Sequence, residues 1–231
     1  MFITYKNGKE YRLDYDDKAH SYKVDDVKIP SVTRIIDACF PKNLTDWALN
    51  VGEEEYRRVI DEALKIGNDT HQWIEYYIDN HRTWEPSFLR KCTNLSESHH
   101  IFKPVKAFLG WTEKYEPKWI YTERKIYCDK HKYAGTVDAV AKINGRVCVI
   151  DFKTSKKIYK PYHLQVTAYA QAIKRIDGLR QWPLGMILRL DKETGLYQQK
   201  VFEPKDHFKT FIKCMELRQW SSIRIKESDV V

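Results

Sequence analysis

No two cysteines in this sequence lie close enough together to make a metal ribbon or a redox motif. Five are present, Cys39, Cys92, Cys128, Cys148 and Cys214. None forms a C-x-x-C pair, which leaves zinc ribbons and thiol–disulfide oxidoreductases without support. Scattered reduced thiols suit a cytoplasmic compartment. Long apolar runs are missing too: no stretch approaches the roughly 20 residues that a membrane helix needs, so no membrane partner is expected. The opening residues, MFITYKNGKEYRLDYDD, have many acids and no apolar h-region, and read as neither a secretory signal nor a transit peptide. Internal repeats and low-complexity tracts are absent. What remains is a chain of 231 residues, 42% hydrophobic and 13% aromatic, suited to one globular domain with an appended subdomain. Forty Lys and Arg against 32 Asp and Glu give a formal charge of +8. Such a balance attracts polyanions, and it serves solubility equally well.

Along the chain the pattern changes once. FITYKNGKEYRL alternates around Asn7-Gly8 and predicts a hairpin; DYDDKAHSYKVDDVKIP predicts a second. Ser31 or Thr33 caps a short helix, VTRIIDACF, ended by Pro41. Thr45 is the expected cap of a helix over DWALNVGEEEYRRVIDEALKIG, whose Glu and Arg rows make a solvated face. NDTHQWIEYYIDNH repeats apolar residues at helical spacing, residues 80 to 96 read as a loop, and a further helix is expected from about 96 to 115. Strands then dominate: KWIYTERKIYC, YAGTVDAVAKI and RVCVIDFKT. A helix over KPYHLQVTAYAQAIKRID, two more strands and a helix opened by Pro204 follow. The expected division is a hairpin and helix segment at 1–43, a helical layer at 44–115 and a core at 116–231.

The middle of that core holds an anomaly. In GTVDAVAKINGRVCVIDFKTSKK, Asn144-Gly145 is the favoured two-residue hairpin turn. If those residues form the loop, Asp138 stands directly opposite Asp151, and Lys153 shares the face of Asp151. Val140 and Val149 share that face, while Cys148, Ile150 and Phe152 point the other way. Opposed carboxylates about 5 Å apart repel one another, so stability alone disfavours the arrangement. Three remedies are open: a divalent cation, one protonated carboxyl, or strand ends exposed to water with Lys153 as an ion partner.

These residues carry a resemblance. GTVD, then VIDFKTS, then a helix with Gln165 and Tyr169 in HLQVTAYA, resembles the PD-(D/E)xK nuclease superfamily, in particular its RecB-like exonuclease branch of phage and mitochondrial type. Gly67, His71 and Glu75 in GNDTHQWIE match that branch's upstream helix, and Glu123 in YTERKIY matches an acid on the front strand. The resemblance implies an α/β, restriction-endonuclease-like core of αβββαβ order: a mixed sheet flanked by helices, here preceded by β-hairpins and a helical subdomain. It implies that Asp138, Asp151, the backbone carbonyl of Phe152 and His71 hold Mg²⁺ or Mn²⁺. Lys153 is then the catalytic lysine, and Glu75 supports the site. Gln165 and Tyr169 contact DNA or brace the site. Glu123 receives no role and is compatible with a solvent-facing strand position.

No G-x-x-x-x-G-K-[ST] pattern occurs, so no fused helicase motor is expected, and the cysteine spacing does not suit an iron–sulfur cluster. Lys156, Lys157 and Lys160 follow the site strand as expected DNA-backbone contacts, with Lys103, Lys106 and Lys114 on the preceding helix. Trp73, Tyr76, Tyr77 and Trp84 are candidates for stacking on unpaired bases. The implied function is a metal-dependent DNA exonuclease favouring single strands or free ends, in a bacterial host cytoplasm if phage-encoded, with a recombination or replication protein as partner. A structure-specific or restriction-like endonuclease and a degenerate nucleic-acid-binding module are the alternatives.

Overall fold

A computed structural model describes residues 1–17, 19, 21–41, 51–81 and 96–222. The first element is a four-stranded antiparallel sheet of β1 (Phe2–Thr4), β2 (Glu10–Asp16), β3 (Ser21–Val24) and β4 (Val27–Ile29), paired in chain order. Both expected hairpins are there. The second closes through Asp25 and Asp26, which adopt φ of 47° and 66°. Asp tolerates that left-handed region because its short side chain bonds locally. Helix α1 (Val32–Cys39) follows, with Ser31 Oγ accepting from Arg34 N at 3.2 Å, so Ser31 is its cap.

Helix α2 (Glu53–His81) unites what the sequence suggested as two helices. Gly52 has φ of 82°, which no right-handed helix contains, so α2 begins after it; Thr45, the expected cap, lies outside the described residues. Gly67 is passed without a break, and a Cβ there would lie 3.6 Å from the Thr154 hydroxyl just beyond the site strand. The Glu and Arg rows near the start form surface ion pairs such as Arg58–Glu55 at 2.8 Å. Helix α3 (Phe102–Tyr115) begins later than expected, after turns at 97–100, with Pro104 in its first turn where no N–H is needed.

The second sheet orders β5 (Lys118–Cys128), β6 (Tyr133–Ile143), β7 (Arg146–Lys153), β8 (Leu184–Leu190) and β9 (Tyr197–Phe202) in sequence. Only β7 and β8 are parallel, because α4 (Lys160–Ile176) crosses between them. A 3₁₀ turn (Pro204–His207) leads into α5 (Phe208–Ser221). The observed core is αβββαββα, a mixed sheet flanked by helices and therefore a restriction-endonuclease-like α/β fold.

Two hydrophobic clusters sandwich this sheet. One joins Val140, Val149 and Ile187 to α4, α1 and the N-terminal sheet. The other joins Ala139, Cys148, Ile150 and Phe152 to Ile74, Tyr77 and Ile78 of α2 and to Phe108 and Trp111 of α3. Burying each such large side chain contributes about 1.5–3 kcal/mol. The alternation of β7 is the one the sequence predicted. Trp111 satisfies its indole N–H on Gln199 Oε1 at 2.8 Å. Among the described residues, no helix is long and apolar enough to cross a membrane.

Candidate active site

The ladder between β6 and β7 runs from Ile143–Arg146 to Ala139–Ile150, the register dictated by Asn144 and Gly145, whose φ values of 47° and 81° make the tight turn. Asp138 and Asp151 stand one step beyond the last pair. There the Asp138 carboxylate takes over the acceptor role: Phe152 N donates to its Oδ2 at 2.8 Å.

His71 reaches this point from α2, on the helical face that also bears Glu75. Its Nε2 lies 3.2 Å from the Phe152 carbonyl oxygen and its Nδ1 3.7 Å from Asp138 Oδ2. Ligand atoms of His71, Glu123 and Asp138 all lie within 4.8 Å of one another. Asp151 is fully buried and turns toward Lys153, whose ammonium is 2.7 Å from its Oδ2. That contact is ionic rather than a well-angled hydrogen bond, and neither Asp151 oxygen has a hydrogen-bond partner.

Electrostatics follow from crowding acids in a half-dry place. Burial, then the charges of Asp138 and Glu75, push the Glu123 carboxyl up to about 8. Burial also lifts Asp151, with Asp138 adding to it and Lys153 opposing. Burial works downward on Lys153, but Asp151 and Asp138 outweigh it and raise its pKa, so the side chain is an ammonium at neutral pH.

The donor set tests what the site can hold. One imidazole, two or three carboxylates and a backbone carbonyl are ligands for a hard or borderline divalent ion such as Mg²⁺ or Mn²⁺. Asp151 is buried with Lys153 as its close cation, while burial and neighbouring acids push Glu123 up to about 8, so the carboxylates beside His71 are crowded without a cation of their own among the described residues. The residues fit a divalent cation.

Most residues singled out in the sequence meet here: His71, Asp138, Asp151, the Phe152 carbonyl and Lys153. Glu75 is half-buried one turn along α2, within electrostatic reach of Glu123. Gln165 Nε2 donates to Tyr169 Oη at 3.1 Å, and Tyr169 is only 3% exposed. Of the two roles considered for that pair, burial leaves Tyr169 that of a brace; its hydroxyl does not meet a polymer at the surface. Lys156, Lys157 and Lys160 are exposed beyond β7. Tyr77 is buried, and Trp73 stacks on it at 5.4 Å, so both belong to packing; Trp84 lies outside the described residues.

Two site residues received no role from the sequence. Glu123 is not a solvent-facing strand residue; it stands with His71 and Asp138. A β-bulge between Trp119 and Tyr121 shifts the β5–β6 register, so the pairs Thr122–Ala139 and Arg124–Val137 bracket Glu123 against Asp138. Its φ of 43° is a strained conformation for a glutamate. Tyr162 is the other, with its ring centre 5.0 Å from the Lys153 ammonium. The β5 acid was visible in the sequence; nothing there marked Tyr162.

Fold and site together describe a nuclease. Residues 47–228 match the family model of the PD-(D/E)XK nuclease superfamily, and the chain belongs to that superfamily. Curated relatives include the mitochondrial genome maintenance exonuclease 1 of Homo sapiens, 28% identical over 162 residues, and that of Mus musculus, 27% identical over 160. Each match covers 63% of this chain and 44% of the relative, so the chain spans less than half the length of either. The solved structure of SSO0001 aligns at 14% identity and a TM-score of 0.33 over 80% of this chain and 89% of its own, a likeness too slight to build on.

Proposed function

We propose that this nuclease is a divalent-metal-dependent DNA exonuclease that works on single strands or free ends. The observation that carries the reading is the meeting of His71, Glu123 and Asp138 beside the Asp151–Lys153 pair. His71, Glu123, Asp138, Asp151 and the Phe152 carbonyl are the residues that would hold the ion. A bound divalent ion polarises a phosphate and makes hydroxide available near neutral pH. Glu75 adds negative charge behind Glu123. Lys153, held charged by its neighbours, stabilises the charge that grows on the phosphate oxygens and does not act as a proton acceptor. Asp151 fixes that ammonium in place, and the Tyr162 ring limits where it can swing.

Outside the reacting centre, Lys156, Lys157 and Lys160 meet the DNA backbone. Gln165 positions the strand, supported by Tyr169. The relatives named as exonucleases support cutting from an end. Free thiols at Cys39, Cys128, Cys148 and Cys214 support a reducing compartment such as the cytoplasm, and the relatives' mitochondrial name supports the other choice. The test is digestion of labelled linear and circular single-stranded DNA with Mg²⁺, Mn²⁺ or EDTA. Metal-dependent loss of the linear strand with the circle intact is expected. A cut circle means an endonuclease, and DNA binding without any cleavage means a degenerate module.

A further inference from the structure

Two partners share one ammonium in this site. Lys153 Nζ lies 2.7 Å from Asp151 Oδ2 and 5.0 Å from the centre of the Tyr162 ring. The first partner has a second obligation. His71, Glu123 and Asp138 bring ligand atoms within 4.8 Å of one another, while Asp151 stands outside that group, turned to the lysine. An Asp151 that joins the group gives its charge to the ion held there. One carboxylate does not neutralise a dication and an ammonium at once, and the two cations repel each other. Asp138 offers the ammonium no refuge, since it belongs to the ion-binding group and already accepts from Phe152 N at 2.8 Å.

Tyr162 is free of that conflict and is held firmly. It is the third residue of α4, directly after Pro161, whose ring restricts the backbone of the first turn. Its N–H donates to the Tyr159 carbonyl at 3.1 Å. Its side chain packs, partly buried, against the core cluster beneath α4. The Tyr159 ring meets it edge-on, 5.6 Å away at 83°. The Lys153 side chain is only 18% exposed, so an ammonium displaced from Asp151 has little water to enter. The face of an aromatic ring attracts a cation, and more strongly where water is scarce.

We propose that Tyr162 is a positioning residue: when Asp151 turns to a bound divalent ion, the Tyr162 ring keeps the Lys153 ammonium beside the reacting centre, available to the phosphate. The ring has no charge to give to the ion, so its hold outlasts that of Asp151. Ion binding and the placement of the lysine are thereby coupled. This rests on the nuclease reading and adds to it the step that readies Lys153.

The experiment titrates Mn²⁺ alone into the full chain, with free Mn²⁺ followed by electron paramagnetic resonance. Tyr162→Leu and Tyr162→Phe are compared in the Lys153 and Lys153→Met backgrounds. With Lys153 present, Tyr162→Leu should bind Mn²⁺ about fivefold more weakly, the worth of one partly exposed cation–π contact. Tyr162→Phe keeps the ring face and should match wild type. In the Lys153→Met background, Tyr162→Leu should have no effect, because no ammonium needs a seat. Equal weakening in both backgrounds assigns the ring to packing alone and overturns the inference. So does unchanged affinity in both, or wild type that binds no Mn²⁺.

Nuclear magnetic resonance in Mg²⁺ reads the ammonium directly. The ε-methylene signal of Lys153, assigned by its loss in Lys153→Met, should move upfield on adding Mg²⁺ as it settles over the ring. Tyr162→Leu should abolish that movement; a signal that stays put in wild type overturns the inference. Coupling between Tyr162 and Lys153 in a protein that cleaves no DNA keeps the positioning role and discards the nuclease reading. Metal-dependent cleavage without the coupling does the reverse.

Discussion

Lys153 sits 2.7 Å from a buried carboxylate and over the face of an aromatic ring, so its position and charge are both set by neighbours. Replacing it by alanine is expected to lower kcat by roughly 10²–10³ while DNA affinity in fluorescence anisotropy stays near wild type. Lys153→Arg keeps the charge and controls for the stability lost when Asp151 is left alone. Glu123 gives a prediction of opposite character. Its folded pKa of about 8 lies above the ordinary 4.5, so between those values the folded chain binds more protons than the unfolded one. Stability must then fall as pH rises through that window. In EDTA, Glu123→Gln should leave thermal stability near wild type at pH 4.5 and raise it by at most about 4 kcal/mol at pH 8. A variant less stable than wild type at pH 8 would show that Glu123 is not repelled where it stands. The residues of the GTVD and DFK stretches were legible in the sequence because a two-residue turn fixes who faces whom. The partner of Glu123 was not, because it lies on a neighbouring strand 15 residues away across a bulge.

At the scale of elements, the decisive irregularity is the β5 bulge. Without the extra residue at 119–121, Glu123 would face Val137 and its side chain would point to the other side of the sheet, since a one-residue slip reverses every side chain. Alternation in KWIYTERKIYC does not disclose such a slip. The turn after β8 shows the same dependence of a site on its scaffold. Asp191 accepts from the backbone of Glu193 and Thr194 at 2.8 and 3.1 Å, and holds Arg189 at 2.8 Å. Arg189 in turn donates to the Ser155 carbonyl at 2.7 Å and so anchors the segment that carries Lys156 and Lys157. Burial works against the Asp191 charge, but these donors outweigh it and lower its pKa to about 2. A depressed carboxyl stabilises the fold above its unfolded pKa near 3.8 and loses that contribution as pH falls through 2. Asp191→Asn should therefore cost about 1–2 kcal/mol at pH 7 in urea melts, with the difference closing toward pH 2. A constant difference across pH would place its role outside ionisation.

For the whole molecule, the acids gathered from α2, β5, β6 and β7 are a source of strain that a cation relieves. Mn²⁺ at about 100 times its dissociation constant should raise unfolding free energy by about 2.7 kcal/mol, reversibly with EDTA. The gain in melting temperature should be larger at pH 8 than at pH 6, since Glu123 must lose its proton to bind. Asp138→Asn should abolish the gain without abolishing the folded baseline. The sequence by itself determined the hairpin register, the alternation of β7 and the position of Asp138 and Asp151 one step beyond the last ladder pair, because turn chemistry and a period of two act over neighbouring residues. Tertiary structure alone decided that His71 meets the Phe152 carbonyl and that Glu123 joins Asp138. Those contacts join residues 15 and 81 positions apart through a bulge and a packed helix, and no local rule of sequence sets the relative placement of such elements.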